Sequence, residues 1–281
     1  MTPPSLDEVL ADIRRLPSLP DVVSELIAIL ENESANIEQL AEGIAKDLSL
    51  AARALRVANS PFYAAQNRVA SIHDAIVILG FRAVGSLVTA ALLTGYFPPT
   101  SNTRFDHAAF WRHSIGVALY ARILARHAGL DPEAAFTAGL LHDIGVLVLL
   151  SARARDFEEV LALRERSDCE LAQAERELFG FDHARVGEAL ALHWRFPPDI
   201  VHAVAMHLAP ADATRASLGD VTHVANVLAN ALDLAGRPDT LVSPLDPGAW
   251  RRLGLDAQDL KGLFGDIERE HACYCALLRD A

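Results

Sequence analysis

The chain has 281 residues, of which 51% are hydrophobic and 22% charged, a balance that supplies a sizeable core and excludes a disordered chain. Its 37 acidic residues outnumber 25 Lys plus Arg, for a formal net charge of −12. Without a global positive field to attract phosphate backbones or anionic lipid, neither nucleic acid nor a membrane surface is an expected partner. The three cysteines, Cys169, Cys273 and Cys275, match neither a disulfide framework nor a zinc-knuckle spacing, and the N-terminus lacks a basic region followed by an apolar stretch. A cytoplasmic location is the expectation.

Leucine and alanine dominate, β-alternation is absent, and Pro, Gly and Asp fall where helices end, so the predicted fold is all-α. Leu19-Pro20-Asp21 opens a helix with Val22, Val23, Leu26, Ile29 and Leu30 on one face. Helices over 37–47 and 48–59 follow, the second stopped by Ser60-Pro61, and further helices are predicted over 72–80 and 82–96. The apolar run 83–98 is shorter than the roughly 18 to 20 residues that span a bilayer, so it reads as a core helix. The strongest break, Phe97 to Thr103, divides the chain into two lobes: an N-terminal lobe over 1–97 and a second bundle over 104–235. A loop and helical tail occupy 236–281.

The second lobe carries the chemistry. In Gly139-Leu140-Leu141-His142-Asp143-Ile144-Gly145 an imidazole stands beside a carboxylate in an apolar segment. A buried Asp143 needs a cation, a hydrogen-bond network or a metal to hold it ionised. The helix opened by Asp131-Pro132 is expected to run into His142-Asp143 and to end or bend at Gly145. His113 shares a stripe with Phe110, Val117, Tyr120 and Leu124; His183 aligns with Gly187, Leu190 and Trp194; His207 aligns with Ile200 and Val204. His223, Asn226 and Asn230 form one polar face of a last helix, while His107, His127, His193 and His202 fall off the inward stripes. Histidines and a carboxylate converging from several helices can hold a divalent transition metal with positions open for water.

These residues occur in the order and context of the HD superfamily of metal-dependent phosphohydrolases, which includes cyclic di-nucleotide phosphodiesterases. With Leu16-Pro17-Ser18-Leu19-Pro20, Asp47-Leu48-Ser49-Leu50, Val57-Ala58-Asn59-Ser60-Pro61-Phe62-Tyr63, Ser71 to Gly80 and Phe181 to Gly187, the chain resembles the HDOD domain from about residue 16 to about 235. That resemblance implies an HD-like second lobe and a metal set of His113, His142, Asp143, His183, His207 and Asn226. It also implies a bacterial signalling module that acts on partner proteins, including those of cyclic di-GMP pathways. Asn226 stands where the HD enzymes carry a carboxylate, Val146 where the phosphodiesterases carry a lysine, and Leu208 where they continue with His-Glu; no Gly-Tyr-Pro motif is present. The implied site is therefore a degenerate one, holding either no metal or a weakly bound Fe, Mn, Ni or Zn ion. A non-enzymatic regulator is the favoured reading and a metal-dependent phosphohydrolase the alternative. Asn59, Phe62 and Tyr63 are the candidate partner contacts, since a turn presenting two aromatics offers anchors to a protein groove.

Overall fold

The structure, a computed structural model, describes residues 4–15, 25–26, 29, 35–59, 69–81, 84–85, 88, 93, 96–97, 104–211, 213–236, 241–256, 267, 270–272 and 274–275. Every regular element among them is a helix. In chain order these are α1 (Leu6–Ile13), α2 (Ile37–Ala45), α3 (Leu48–Ala58), α4 (Ile72–Leu79), α5 (His107–Ala128), α6 (Pro132–Leu141), α7 (Ile144–Ala152), α8 (Ala154–Ser167), α9 (Leu171–Phe179), α10 (His183–His193), α11 (Pro198–Met206), α12 (Leu218–Ala231) and α13 (Pro247–Leu253).

Two compact units result, one of Met1–Ser18 with Pro99–Lys261 and one of Leu19–Pro98 with Gly262–Ala281. Each joins two separated stretches of chain, so the units do not follow the linear boundaries at 97 and 235. The physical reason at the N-terminus is that α1 packs on α7 and α10, and its Asp12 pairs with Arg153 at 2.8 Å.

The unit holding α2, α3 and α4 is built on Leu26, Leu40, Ile44, Leu50, Ala54, Ile76, Val84 and Val88. Asn36 and Gln39 form a reciprocal capping box on α2, and Ser71 accepts from the Asp74 N–H to start α4. Gly80 ends α4 at φ 95°, a conformation that side chains with a Cβ rarely adopt. Asn59 closes the loop after α3: its Nδ2 donates to the Leu55 and Val69 carbonyls, and its Oδ1 accepts from the Val69 N–H at 2.9 Å. Its amide therefore works within the chain. Phe62 and Tyr63 lie outside the described residues, as do most of 16–34, 60–68 and 98–103.

In the larger unit the long α5 lies against α6 and α12. Asp106 accepts from the Ala109 N–H to cap α5, and Asp131, followed by Pro132, caps α6. The apolar stretch Pro132–Ala152 is long enough to cross a bilayer, but 78% of its most apolar window is buried within the protein. It is also interrupted. His142 is the C-cap of α6 and Asp143 the N-cap residue of α7, so the chain breaks at the His-Asp pair itself. Gly145 sits inside the first turn of α7, so the expected end or bend falls just before it, at His142-Asp143. It permits a close crossing: a Cβ there would lie 2.1 Å from the His183 carbonyl oxygen and 2.7 Å from the Gly187 nitrogen of α10. Gly139 does the same for α6 on α5, where a Cβ would come 2.7 Å from the Ala118 Cα.

These crossings set a stability test. Gly145→Ala is expected to destabilise by about 1–3 kcal/mol, the usual cost of overpacking, because backbone rather than a flexible side chain must yield. Gly219→Ala, whose nearest neighbour would be the Met206 Cβ at an ordinary 3.4 Å, should leave the melting temperature near the parent's. Thermal melts of both variants check the comparison, and equal melting temperatures would show that α7 and α10 do not cross this closely.

Candidate metal centre

Four histidines and one aspartate from five helix ends and faces meet in the larger unit. Asp143 Oδ2 lies 3.2 Å from His142 Nε2 and 3.9 Å from His113 Nε2, while its Oδ1 lies 3.1 Å from His183 Nε2 and 3.2 Å from His207 Nε2. The donors form two groups sharing Asp143, namely His113 with His142 and His183 with His207, each with ligand atoms within 4.8 Å of one another. His142 and His207 are fully buried at helix C-caps, and His183 is the first residue of α10.

Hydrogen bonds on the far sides of the rings decide what these nitrogens offer. His142 Nδ1 is 2.7 Å from the Gly139 carbonyl and His207 Nδ1 is 2.8 Å from the Val204 carbonyl. A carbonyl only accepts, so in the neutral ring the proton sits on Nδ1 and Nε2 presents a lone pair. In that tautomer the buried Nε2 atoms of His142 and His207 have no donor partner and face the Asp143 carboxylate at 3.2 Å. Lone pairs and a carboxylate repel unless a cation lies between them, which is the donor chemistry of a divalent metal site.

Glu175, on α9, was not singled out from the sequence, yet it completes the arrangement. It is wholly buried, and its Oε2 accepts from His183 Nδ1 at 2.6 Å and from the His183 backbone N–H at 2.8 Å. This carboxylate–histidine pair orients the ring and raises its basicity. The available signal was a glutamate at helical spacing between Ala172 and Phe179, eight residues before His183.

The electrostatics follow from burial and charge. Burial pushes His113 down to about 4, helped by the charge of His142 and opposed by Asp143 and Asn226, so this ring is a neutral donor. Burial also lowers His207, against the attraction of the Asp143 carboxylate. At His183 burial is overcome by the carboxylates of Glu175 and Asp143, which hold it well above 6.5. Burial alone would raise Asp143, but the surrounding imidazoles of His142 and His183 keep its carboxyl well below the usual range. Burial lifts Glu175 despite its bonds to His183. A metal ion would displace the Nε2 proton of His183, so loading must strengthen as the pH rises.

Asn226 stands at the His113 side of the cluster, hydrogen-bonded to His113, and its Oδ1 accepts from Asn230 Nδ2 at 3.1 Å. The expected polar face of α12 is not solvent-facing: His223 and Asn226 are buried. His223 Nδ1 donates to the His207 carbonyl at 2.8 Å, and its Nε2 accepts from the Asp246 backbone N–H at 2.9 Å. His107, His127, His193 and His202 do not join the cluster. The cluster opens onto a cavity of about 350 Å³ whose wall includes His113, Asp143, Val146, His183 and Asn226.

The HDOD domain family model matches residues 16–210. The chain belongs to the HDOD domain family. The match reaches from α1's end to just past His207 and stops before α12, so Asn226 and His223 lie beyond it, short of the expected limit near 235. Over 96% of this HDOD chain and 97% of the other, the fold is similar at TM-score 0.76 and 30% identity to a candidate phosphohydrolase from Shewanella amazonensis. An HDOD domain protein of unknown function from Geobacter sulfurreducens superposes at TM-score 0.78 with 25% identity, covering 98% of both chains. A candidate signal transduction protein from Marinobacter aquaeolei matches 99% of this chain and 62% of its own at TM-score 0.76 and 26% identity. Among curated sequences, an uncharacterized protein of Treponema pallidum is 22% identical over 194 residues, 68% of this chain and 37% of that protein. Ribonuclease Y of Thermus thermophilus is 35% identical over 102 residues, 36% of this chain and 13% of the enzyme. The HDOD chain thus spans well under half the length of either curated relative.

Glu175 supplies the next test. Glu175→Gln keeps an acceptor for the His183 N–H groups but removes the charge behind the ring, so divalent-metal affinity is expected to fall roughly 10- to 100-fold, the usual effect of losing such a partner. Chelator competition measures it. Unchanged affinity would mean that His183 does not ligate.

Proposed function

We propose that this HDOD chain is a signal-transduction module whose His/Asp cluster holds a single divalent transition-metal ion, of Fe, Mn, Ni or Zn, and whose output is binding to a partner protein rather than turnover. The observation that carries this reading is the charge of the cavity over the cluster. Among the described residues its wall bears the carboxylates of Asp106, Asp143, Glu165, Asp168 and Glu170 against the two guanidiniums of Arg104 and Arg164. Arg104 is itself bonded to Glu165 at 2.6 Å. Phosphoryl transfer relies on cations to neutralise charge on the transferring group, and a dication bound beside Asp143 would still leave this wall net negative. Val146 adds an apolar group where a phosphate-binding cation would act.

The same charge balance favours one ion over two. Asp143 and Glu175 together offset one dication, whereas a second would have only neutral imidazoles and the Asn226 amide for company. Partners are then bacterial signalling proteins in the cytoplasm, cyclic di-GMP pathways among them, and not nucleic acid or membrane. The phosphohydrolase alternative draws on the open space beside His113, Asp143 and His183, where a metal-bound water would face the cavity, and on the likeness to the candidate phosphohydrolase of Shewanella amazonensis.

Two measurements separate these readings. The purified, metal-loaded protein is expected to leave cyclic di-GMP, cyclic di-AMP, guanosine tetraphosphate and model phosphodiesters intact with added manganese, iron or nickel. Turnover proportional to protein and lost in His142→Ala and Asp143→Ala would establish the phosphohydrolase instead. Asn226→Asp adds an anionic oxygen at nearly constant volume, so elemental analysis should find higher metal occupancy than in the parent, with a chelator-sensitive rise in melting temperature, because a ligand that binds only the native state stabilises it. Equal occupancy in both proteins would place residue 226 outside the ligand shell.

A further inference from the structure

Residues 241–246 run along the cavity, where Leu241 and Ser243 form part of the wall. The far end of this stretch is tied to the cluster through one side chain. The Asp246 backbone N–H donates to His223 Nε2 at 2.9 Å, and His223 Nδ1 donates to the backbone carbonyl of His207 at 2.8 Å. Both ring nitrogens are thus used, which fixes a single neutral tautomer. The His207 carbonyl belongs to a helix C-cap, where α11 itself leaves carbonyls without intrahelical partners. His223 is buried among apolar residues of α12, so its ring acts as a rigid spacer between a cluster residue and the cavity wall.

Beyond Asp246 the anchor continues. Asp246 accepts from the Ala249 N–H at 2.6 Å to start α13, and Arg252 of α13 reaches back to the buried Asp220 of α12, with NH2 to Oδ1 at 2.6 Å and Nε to Oδ2 at 3.1 Å. The near side of the wall has its own tie: Arg112, the neighbour of His113, donates from Nε to the Ala235 carbonyl at 2.8 Å, and Ala235 also lines the cavity. Two residues that adjoin or touch cluster histidines therefore hold this side of the cavity, Arg112 at the wall residue Ala235 and His223 at Asp246, the end of the stretch that carries the wall residues Leu241 and Ser243.

We propose that residues 241–246 are a strap whose seat is set by the cluster, with His223 as the positioning residue, so that metal occupancy and closure of the strap are one linked equilibrium. This rests on the reading that the cluster holds a metal ion. A metal that draws His207 Nε2 toward itself displaces the His207 backbone, and the only imidazole bonded to that carbonyl carries the displacement to Asp246. The strap leads through α13 to Lys261, after which the chain enters the other unit. The state of the metal centre thus has a covalent route out of the unit that contains it. Linkage makes the coupling reciprocal: whatever loosens the strap must weaken the metal by the same factor.

The test uses the full chain with Co²⁺ as the metal, whose visible absorption reports histidine ligation independently of any activity. Amide hydrogen exchange is followed in the chelator-stripped and Co²⁺-loaded protein. Exchange in residues 241–246 is expected to slow on loading by roughly 5- to 150-fold, the usual span of coupling between sites. His223→Phe keeps the ring but removes both nitrogens, and should abolish the Co²⁺-dependence of strap exchange and weaken Co²⁺ by the wild-type coupling factor. His223→Gln, which restores an acceptor for the Asp246 N–H, should recover part of both effects and stands in if the Phe variant does not fold. Co²⁺ absorption with unchanged strap exchange in the wild type overturns the strap proposal and leaves the metal reading intact. Absence of Co²⁺ absorption overturns both.

Discussion

The carboxylate of Asp143 faces the Nε2 atoms of His142, His183 and His207 at 3.2, 3.1 and 3.2 Å, and an anion placed so deep must be offset by positive charge. His142 and His207 each commit Nδ1–H to a carbonyl one turn back in their own helix, a bond available because both residues sit at C-caps where carbonyls are left over. Glu175 behind the ring and Asp143 in front of it hold His183 well above its ordinary pKa, as an imidazolium between two carboxylates. The site is therefore poised between a proton and a metal on the same nitrogen. That competition explains why the cluster is so deeply placed: an imidazolium flanked by two carboxylates is tolerated in a low-dielectric interior, whereas an isolated Asp143 is not.

The surrounding fold exists to bring those helix ends into register. His183 and Asp143 approach because α7 and α10 cross at Gly145 and Gly187, where the backbones are separated by less than a methyl group would need. His113 is aligned with His142 because Gly139 lets α6 lie on the backbone of α5. Close packing transmits small shifts rather than absorbing them, so a displacement at the cluster is passed on through such crossings.

The fold class, the helices over 37–47, 48–59 and 72–80, and the convergence of His113, His142, Asp143, His183 and His207 were legible because helical periodicity and short polar motifs are local signals. What escaped were features that depend on a second element. Glu175 looks like any acidic residue of an amphipathic helix until α9 meets the start of α10, and nothing in its neighbourhood marks it as a partner of His183. Gly145 reads as a terminator because glycine commonly ends helices, but its role is set by a crossing helix more than thirty positions away. His223 carries the periodicity of a polar face, yet the face is covered by α13 and the C-cap of α11. Asn59, an exposed residue after α3, bonds with its amide the backbone ten residues on, a contact that no spacing rule announces.

Two independent departures from a hydrolytic site point the same way. The amide of Asn226 withholds a charge from the metal, which would weaken and simplify metal loading. The carboxylates around the cavity withhold a positive field from any phosphate that approaches. Either alone could be offset, the first by a stronger ligand elsewhere and the second by mobile cationic side chains. Together they act on both halves of the reaction, the activated water and the substrate charge, while leaving untouched the part of the arrangement that couples outward, the buried path from His207 through His223 to α13. On the proposed reading, a chain that retains four histidines, Asp143 and the Glu175 support beside a net negative wall keeps what a sensor needs and discards what a catalyst needs.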